Sequence, residues 1–308
     1  MLRSRWRPPR PLALLLTLLG VAVLAFVIGG GVGGGGKGAG GVGGGGAGGA
    51  GAGGSGHRAG ASHRQRAPRP VPTRSPTAAS VNAPARTSSR TIGYSVDHRA
   101  IRLVVVGDPR SPHPTLVVGC IHGNETAGIA IARRLAAGPA PRGTALWIVL
   151  DLNPDGVAAG TRQNAHGVDL NRNFPYRWRP QYAPGDSQYA GPGPLSEPES
   201  RLAHALILRL APRLAIWFHQ PQGLTDRSGG DPRVEQRFAT LSGLPLHQLT
   251  RYPGSATTWE DHRFSGGTAF VVELPPGRLS RAEIVRHAHA VLSLAGETGS
   301  RPAAPPSP

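Results

Sequence analysis

Residues 119–128 read GCIHGNETAG. His122 and Glu125 stand three positions apart, where an apolar run gives way to an amphipathic one. On a strand-to-helix turn this spacing places an imidazole and a carboxylate around one point. Two such ligands with one distant histidine make a zinc-type site with three protein ligands and an open fourth position. His-x-x-Glu is a weak signal by itself. The distant candidate is His219, which ends a second apolar run, LAIWFHQP, and so falls at the mouth of another strand. Strand ends on one edge of an open α/β sheet are where ligands usually bind. Taken alone, His219 also suits a single hydrogen-bonded strand-end histidine.

The elements needed to bring these residues together are legible. Apolar runs at Ile101–Val106, Thr115–Cys120, Ala145–Leu150, Leu214–Phe218 and Ala269–Glu273 read as strands. They are apolar at both parities, as strands covered on two faces should be. Amphipathic stretches at Glu125–Ala137, Glu197–Leu210 and Arg281–Leu294 read as helices. Ser196 with Glu199, and Ser280 with Glu283, fit the capping box that opens a helix. Leu202, Leu206 and Leu210 recur every fourth residue with Ala203 and Ile207 beside them, a core-facing stripe. The alternation predicts an α/β fold over residues 91–298.

Further segments lie between and after the two histidines: LDLNPDG (150–156), GTRQNAHGVDLNRNFP (160–175) and TAFVVELPPG (268–277). The set His122-x-x-Glu125, Asn153-Pro154-Asp155-Gly156, Arg162, Asp169-Leu170-Asn171-Arg172-Asn173, His219 and Glu273 occurs in the order and wording of a known family. It resembles the zinc carboxypeptidases of the carboxypeptidase A type over most of 91–298. The resemblance implies a single-domain mixed β-sheet with helices on both faces, and one Zn2+ per chain held by His122, Glu125 and His219. It implies Glu273 as the proton-transferring base and Arg162 as the group that polarises the scissile carbonyl. Asn171 and Arg172 match the pair that grips a substrate's terminal carboxylate, for which a guanidinium fork is suited. Tyr252 matches a substrate-contacting tyrosine, and Asp169 a hydrogen-bond partner of a ligating imidazole.

Composition limits the partners. Of 308 residues, 45 are Gly and 31 Pro; 21 of the glycines fall between Gly29 and Gly60, where too few side chains exist to build a core. The formal charge is +17, but residues 1–110 hold 15 Lys and Arg against 2 acids, and the remainder is only mildly basic. No recognition-helix or aromatic RNA-binding pattern accompanies that charge, so no specific nucleic-acid partner is expected. The single cysteine, Cys120, excludes an intramolecular disulfide. Residues 12–29 are apolar, follow four arginines and precede no positive charge until Lys37. That pattern predicts a signal peptide or signal anchor over 1–29, hence an extracytoplasmic chain, membrane-anchored or secreted. Residues 30–90 then read as a disordered linker and 299–308 as a disordered tail.

The short gap between Arg162 and Asn171 and the wording GVDLNRNFP are closer to the bacterial murein-peptide amidases of the family. An exported, tethered domain suits a cell-wall peptide. The expected reaction is hydrolysis of an amide next to a free terminal carboxylate, releasing diaminopimelate or another C-terminal residue, by a monomer. Glu260 and Asp261 precede Glu273 where the family sets side-chain specificity, and one of them could meet a cationic leaving group. Four other readings stand beside this one. They are a general carboxypeptidase on ordinary peptides, an N-acyl amino acid deacylase like succinylglutamate desuccinylase and aspartoacylase, a non-catalytic wall-peptide binder, and a basic polyanion binder that rests only on the charged tether.

Overall fold

The apolar runs become strands whose two sets of alternating side chains each enter a core. A computed structural model describes residues 87–299. Its strands are β1 (Thr87–Tyr94), β2 (Ala100–Gly107), β3 (Pro114–Val118), β4 (Ala145–Val149), β5 (Leu214–His219), β6 (Leu224–Asp226), β7 (Leu246–His247) and β8 (Thr268–Glu273). They form one sheet in the order β1-β2-β4-β3-β5-β8-β6-β7. Strands β4, β3, β5 and β8 run parallel, while β1–β2, β2–β4 and β8–β6 pair antiparallel, so the sheet is mixed.

Helices α1 (Ala127–Ala136), α2 (Pro154–Ala159), α3 (Pro198–Leu210), α4 (Pro232–Ser242), α5 (Ala256–Arg263) and α6 (Arg281–Gly299) complete the fold. On one face Val104, Val117, Ile148, Ile216 and Phe270 meet Ile131 of α1, Phe238 of α4 and Leu294 of α6. On the other, Leu103, Leu116, Val149, Trp217 and Val271 meet Ile207 of α3 and Trp259 of α5. Burying each such Leu, Ile or Phe contributes about 1.5–3 kcal/mol.

Several boundaries differ from the sequence reading. Strand β1 begins at Thr87, inside the stretch read as linker. Strand β3 stops at Val118, although Gly119 N–H still donates to Val149 O and Leu152 N–H to Cys120 O, which keeps the chain extended toward His122. Helix α1 starts at Ala127, so Glu125 sits in the turn before it. The Ser280–Glu283 capping box forms, with reciprocal bonds of 2.7 and 3.2 Å. The Ser196–Glu199 box does not. Glu197 is the N-cap, and Glu199 instead accepts the Val96 N–H at 3.1 Å and Asn164 Nδ2 at 3.0 Å. Helix α6 continues past Leu294. Among the described residues no helix is long and apolar enough to cross a membrane. The apolar run 12–29, the glycine-rich stretch and the tail lie outside them.

Candidate metal centre and substrate cavity

The turn after β3 is held by close backbone packing. A Cβ on Gly123 would lie 1.9 Å from the Gly156 carbonyl carbon, so no larger residue fits this approach. Asn153 caps α2 by accepting the Gly156 N–H at 2.9 Å, and its Nδ2 donates to Ile121 O and Arg162 O at 3.1 and 3.3 Å. Asp155 is buried and receives the Ser95 hydroxyl, the Asp97 N–H and Arg99 Nη1. The Asn-Pro-Asp-Gly segment is therefore scaffolding for the turn.

That scaffold aims His122 and Glu125 at His219 across the sheet edge. His122 Nδ1, Glu125 Oε2 and His219 Nδ1 form a triangle with sides of 2.9, 2.9 and 3.1 Å. All three residues are buried, and this is a potential metal-ligand cluster. A tetrahedral zinc with bonds of about 2.0–2.2 Å keeps its ligand atoms about 3.3 Å apart. The donor set and its spacing thus fit zinc. His122 Nε2 lies 3.0 Å from Asp169 Oδ1, which accepts the ring proton and leaves the Nδ1 lone pair facing the cluster. His219 Nε2 is buried without a partner. Burial opposes charge on Glu125, yet His122 and His219 outweigh it and hold the carboxyl far below the usual range.

Asp169 is the hub of the next ring of contacts. It accepts the Arg162 Nε–H at 2.9 Å, with Arg162 Nη2 in ion-pair contact at the same distance, and the Asn171 N–H at 2.9 Å. Arg162 also donates Nη1 to Glu125 Oε1 at 2.9 Å. The 3-10 turn Leu170–Arg172 begins on Asp169, so this carboxylate both steadies His122 and presents Asn171 and Arg172. Arg172 is buried and donates to Asn171 O and Gln188 Oε1. Its Nε is unpartnered, and its guanidinium lies 4.0 Å over the Tyr252 ring. Asn171 Oδ1 receives the Ala256 N–H. Asn173 points away and ties Ala190, Gly193 and Ser196 together. Gly254, with φ +75°, packs its Cα against the Arg172 backbone, which locks the Tyr252 loop to that turn.

These residues line one cavity of about 770 Å3. His122, Glu125, Arg162, Asn171, Arg172, His219, Tyr252 and Glu273 all reach it. Glu273 ends β8 directly beside His219 in the parallel register. Burial foremost, then the Glu125 charge, pushes its carboxyl up, while His219 and the Gln222 N–H pull it back. Every residue singled out above as catalytic, ligating or substrate-binding is brought together, with Asp169 immediately behind.

Glu260 and Asp261 are not there, and the specificity role expected for them is withdrawn. Both belong to α5. Glu260 is buried and accepts Trp217 Nε1 at 2.7 Å; Asp261 accepts the Ala269 N–H at 2.8 Å and faces a separate hollow beside Arg213 and Asp231. Forming a helix here turned both side chains from the cavity. The sequence reading in turn overlooked Gln188, Gln220, Asp226 and Arg251, all in the cavity wall. Gln220 follows a ligand and fastens α1 to the loop after β8 through Ala127, Pro275 and Gly277. Its adjacency to His219 was the one available clue.

Comparison with known proteins agrees with this geometry. The family model described as zinc carboxypeptidase matches residues 77–222. Murein peptide amidase A of Escherichia coli K12 is 33% identical over 160 residues, 47% of this chain and 64% of that protein, so the chain spans under two thirds of that relative's length. Murein peptide amidase A of Vibrio campbellii is 33% identical over 178 residues, 52% of this chain and 69% of that protein. The solved murein-tripeptide amidase of Escherichia coli O157 superimposes with a TM-score of 0.54 and 25% identity, covering 70% of this chain and 92% of that one. A cavity with the His-Glu-His cluster, a neighbouring glutamate and a buried arginine, together with these likenesses, makes the chain a member of the zinc carboxypeptidase family.

Proposed function

We propose that this hydrolase cleaves the amide bond that joins a terminal residue, bearing a free carboxylate, to a cell-wall peptide, and that the released residue is diaminopimelate. The observation that carries this reading is a single cavity lined both by a potential three-ligand metal cluster and, within one turn of Asp169, by a buried arginine suited to a carboxylate. The amidase relatives support the murein substrate. Wall access follows from residues 12–29, whose pattern favours a catalytic domain outside the cytoplasmic membrane, acting as a monomer.

His122, Glu125 and His219 would hold zinc, which when bound supplies a Lewis acid and makes water acidic enough to attack at neutral pH. Arg172 would bind the terminal carboxylate through the Nη1 and Nη2 N–H groups not spent on Asn171 O and Gln188 Oε1, with Asn171 beside it. That grip fixes the scissile amide relative to Glu273. Glu273 then accepts a proton from the attacking water at its carboxylate and returns it to the departing nitrogen. Arg162 has N–H capacity beyond its bonds to Glu125 and Asp169, and offers it to the developing oxyanion.

The test is product analysis with the zinc-loaded full chain. L-Ala-γ-D-Glu-meso-diaminopimelate should yield free diaminopimelate, while ordinary C-terminal dipeptides should remain intact. Release of ordinary C-terminal residues in preference to diaminopimelate would make the chain a general exopeptidase and overturn the proposal.

A further inference from the structure

Three charged residues in the same cavity, Asp226, Arg251 and Arg278, have no part in the chemistry above, and the first two form an ion pair. Asp226 ends β6, and the antiparallel register sets Leu224 opposite Glu273. Opposed residues share a face of a sheet, and so do alternate residues along a strand. Asp226 therefore lies on the Glu273 face, two rungs away or about 7 Å along the strand, with Val271 on the wall beside it. Its buried carboxylate accepts the Leu249 N–H at 2.8 Å, the Ser228 hydroxyl at 3.1 Å and Arg251 Nη1 at 2.6 Å. A carboxylate has about four acceptor sites, so one remains. Arg251, partly exposed at the cavity, also donates Nη2 to the Arg227 carbonyl. Of the five N–H donors on a guanidinium, about three are left for an incoming group.

A buried ion pair is weak evidence for stability, because apolar residues of similar volume do as well. A pair of opposite charges held side by side at a cavity wall has a chemical complement: a group with an ammonium and a carboxylate on one carbon. Arg172 takes the terminal carboxylate and Glu273 stands by the scissile amide, so the leaving residue's side chain has the β6–β8 wall to run along. We propose that Asp226 and Arg251 are the specificity pair of this enzyme, reading a side chain that ends in its own amino acid zwitterion. Asp226 receives the ammonium and Arg251 the carboxylate. This rests on the reading under Proposed function and names the feature that separates diaminopimelate from lysine. Lysine brings only the ammonium and leaves Arg251 unanswered.

The test uses the zinc-loaded full chain and two probes, meso-diaminopimelate and L-lysine, in two formats. One format is calorimetric binding of the free amino acids. The other is kcat/KM on L-Ala-γ-D-Glu-X carrying either residue as X. Wild type should prefer diaminopimelate at least tenfold in both, since a site built to pair a polar group rejects the analogue that lacks it. In Arg251→Gln the ratio should fall to about one. In Asp226→Asn, which retains an acceptor for Leu249 and Ser228, binding of both amino acids should weaken. If Asp226→Asn does not fold, Arg251→Gln carries the test alone. A preference retained in Arg251→Gln, or wild-type binding of diaminopimelate no tighter than of lysine, overturns the proposal. The two readings fail separately. Tripeptide cleavage with an unaltered ratio in Arg251→Gln sinks the specificity pair and spares the murein activity. Pair-dependent binding of diaminopimelate without tripeptide cleavage does the reverse.

Discussion

Asp169→Asn is the most informative single substitution. It preserves shape, removes one charge and swaps one acceptor for a donor. The native carboxylate is fully buried and receives His122, two nitrogens of Arg162 and the Asn171 N–H, with Arg172 Nη1 at 3.9 Å. An asparagine can present its oxygen to His122 or to Arg162, and its NH2 must then face the other, donor against donor. Breaking a buried pair by removing one partner costs about 3–5 kcal/mol. Arg162 keeps Glu125 and some solvent, so the lower end, about 3 kcal/mol, applies. For a domain of this size that is a Tm loss of roughly 6–12 °C. Loss of the carboxylate behind a ligating histidine should also weaken zinc by about 10–100-fold. Burial alone would raise the Asp169 pKa, but His122, Arg162 and Arg172 hold it well below the ordinary range. A depressed pKa means that the stabilisation is present above the unfolded value of about 3.9 and lost as pH falls through the folded one. The Tm gap between wild type and variant should therefore persist from pH 8 to 5 and close on further acidification. The assays are metal-free melting across pH and zinc competition with a chelator. A metal-free Tm within 2 °C of wild type and zinc affinity within twofold would refute the hub.

Two further predictions concern single carboxylates. Glu273→Gln should lower kcat by about 10^2–10^4 while zinc content by metal analysis stays at wild-type level; turnover within a few fold of wild type would remove Glu273 as the base. Glu260→Gln and Asp261→Asn should leave the ranking of leaving residues unchanged in the peptide assay. Burial raises Asp261 to about 7, so its contribution is complete below about pH 4 and is lost as pH rises through 7. A rise of about three units is about 4 kcal/mol, so Asp261→Asn should melt up to roughly 8–16 °C above wild type at pH 8 and converge with it near pH 4.

The parts of this molecule that read well from sequence are those governed by local rules. Strands β2, β4, β5 and β8 are short runs apolar at both parities, which only a sheet covered on two faces explains. The ligand turn was legible because His122, Glu125 and the glycine between them are fixed by one strand end and one close approach to Gly156. Legibility fails where a side chain has two uses. Glu199 fits a cap by spacing, yet Val96 and Asn164, distant in sequence, outcompete the cap. Glu260 and Asp261 read as an acidic loop because polar residues dominate α5. Burial of Trp259 and the Trp217 bond to Glu260 decide their direction, and neither is visible in a linear pattern. Asp226 and Arg251, 25 residues apart, meet through the β6–β7 pairing, and β6 is three residues long and β7 two.

The three zinc-cluster residues and Glu273 stand at or just beyond the ends of β3, β5 and β8, adjacent parallel strands in the interior of the sheet. Arg162, Asn171 and Arg172 stand on a long segment whose only regular structure is one turn. Local openings begin where backbone bonding is sparse and reach the central strands last. A molecule caught in such a fluctuation keeps His219 and Glu273 on their strands while Arg162, Asp169, Asn171 and Arg172, which share the long segment, come away together. Under the proposed reaction, the support behind His122, the oxyanion contact and the chain-end contact would thus fail as one event on warming, before the strand ends that carry His219 and Glu273 part.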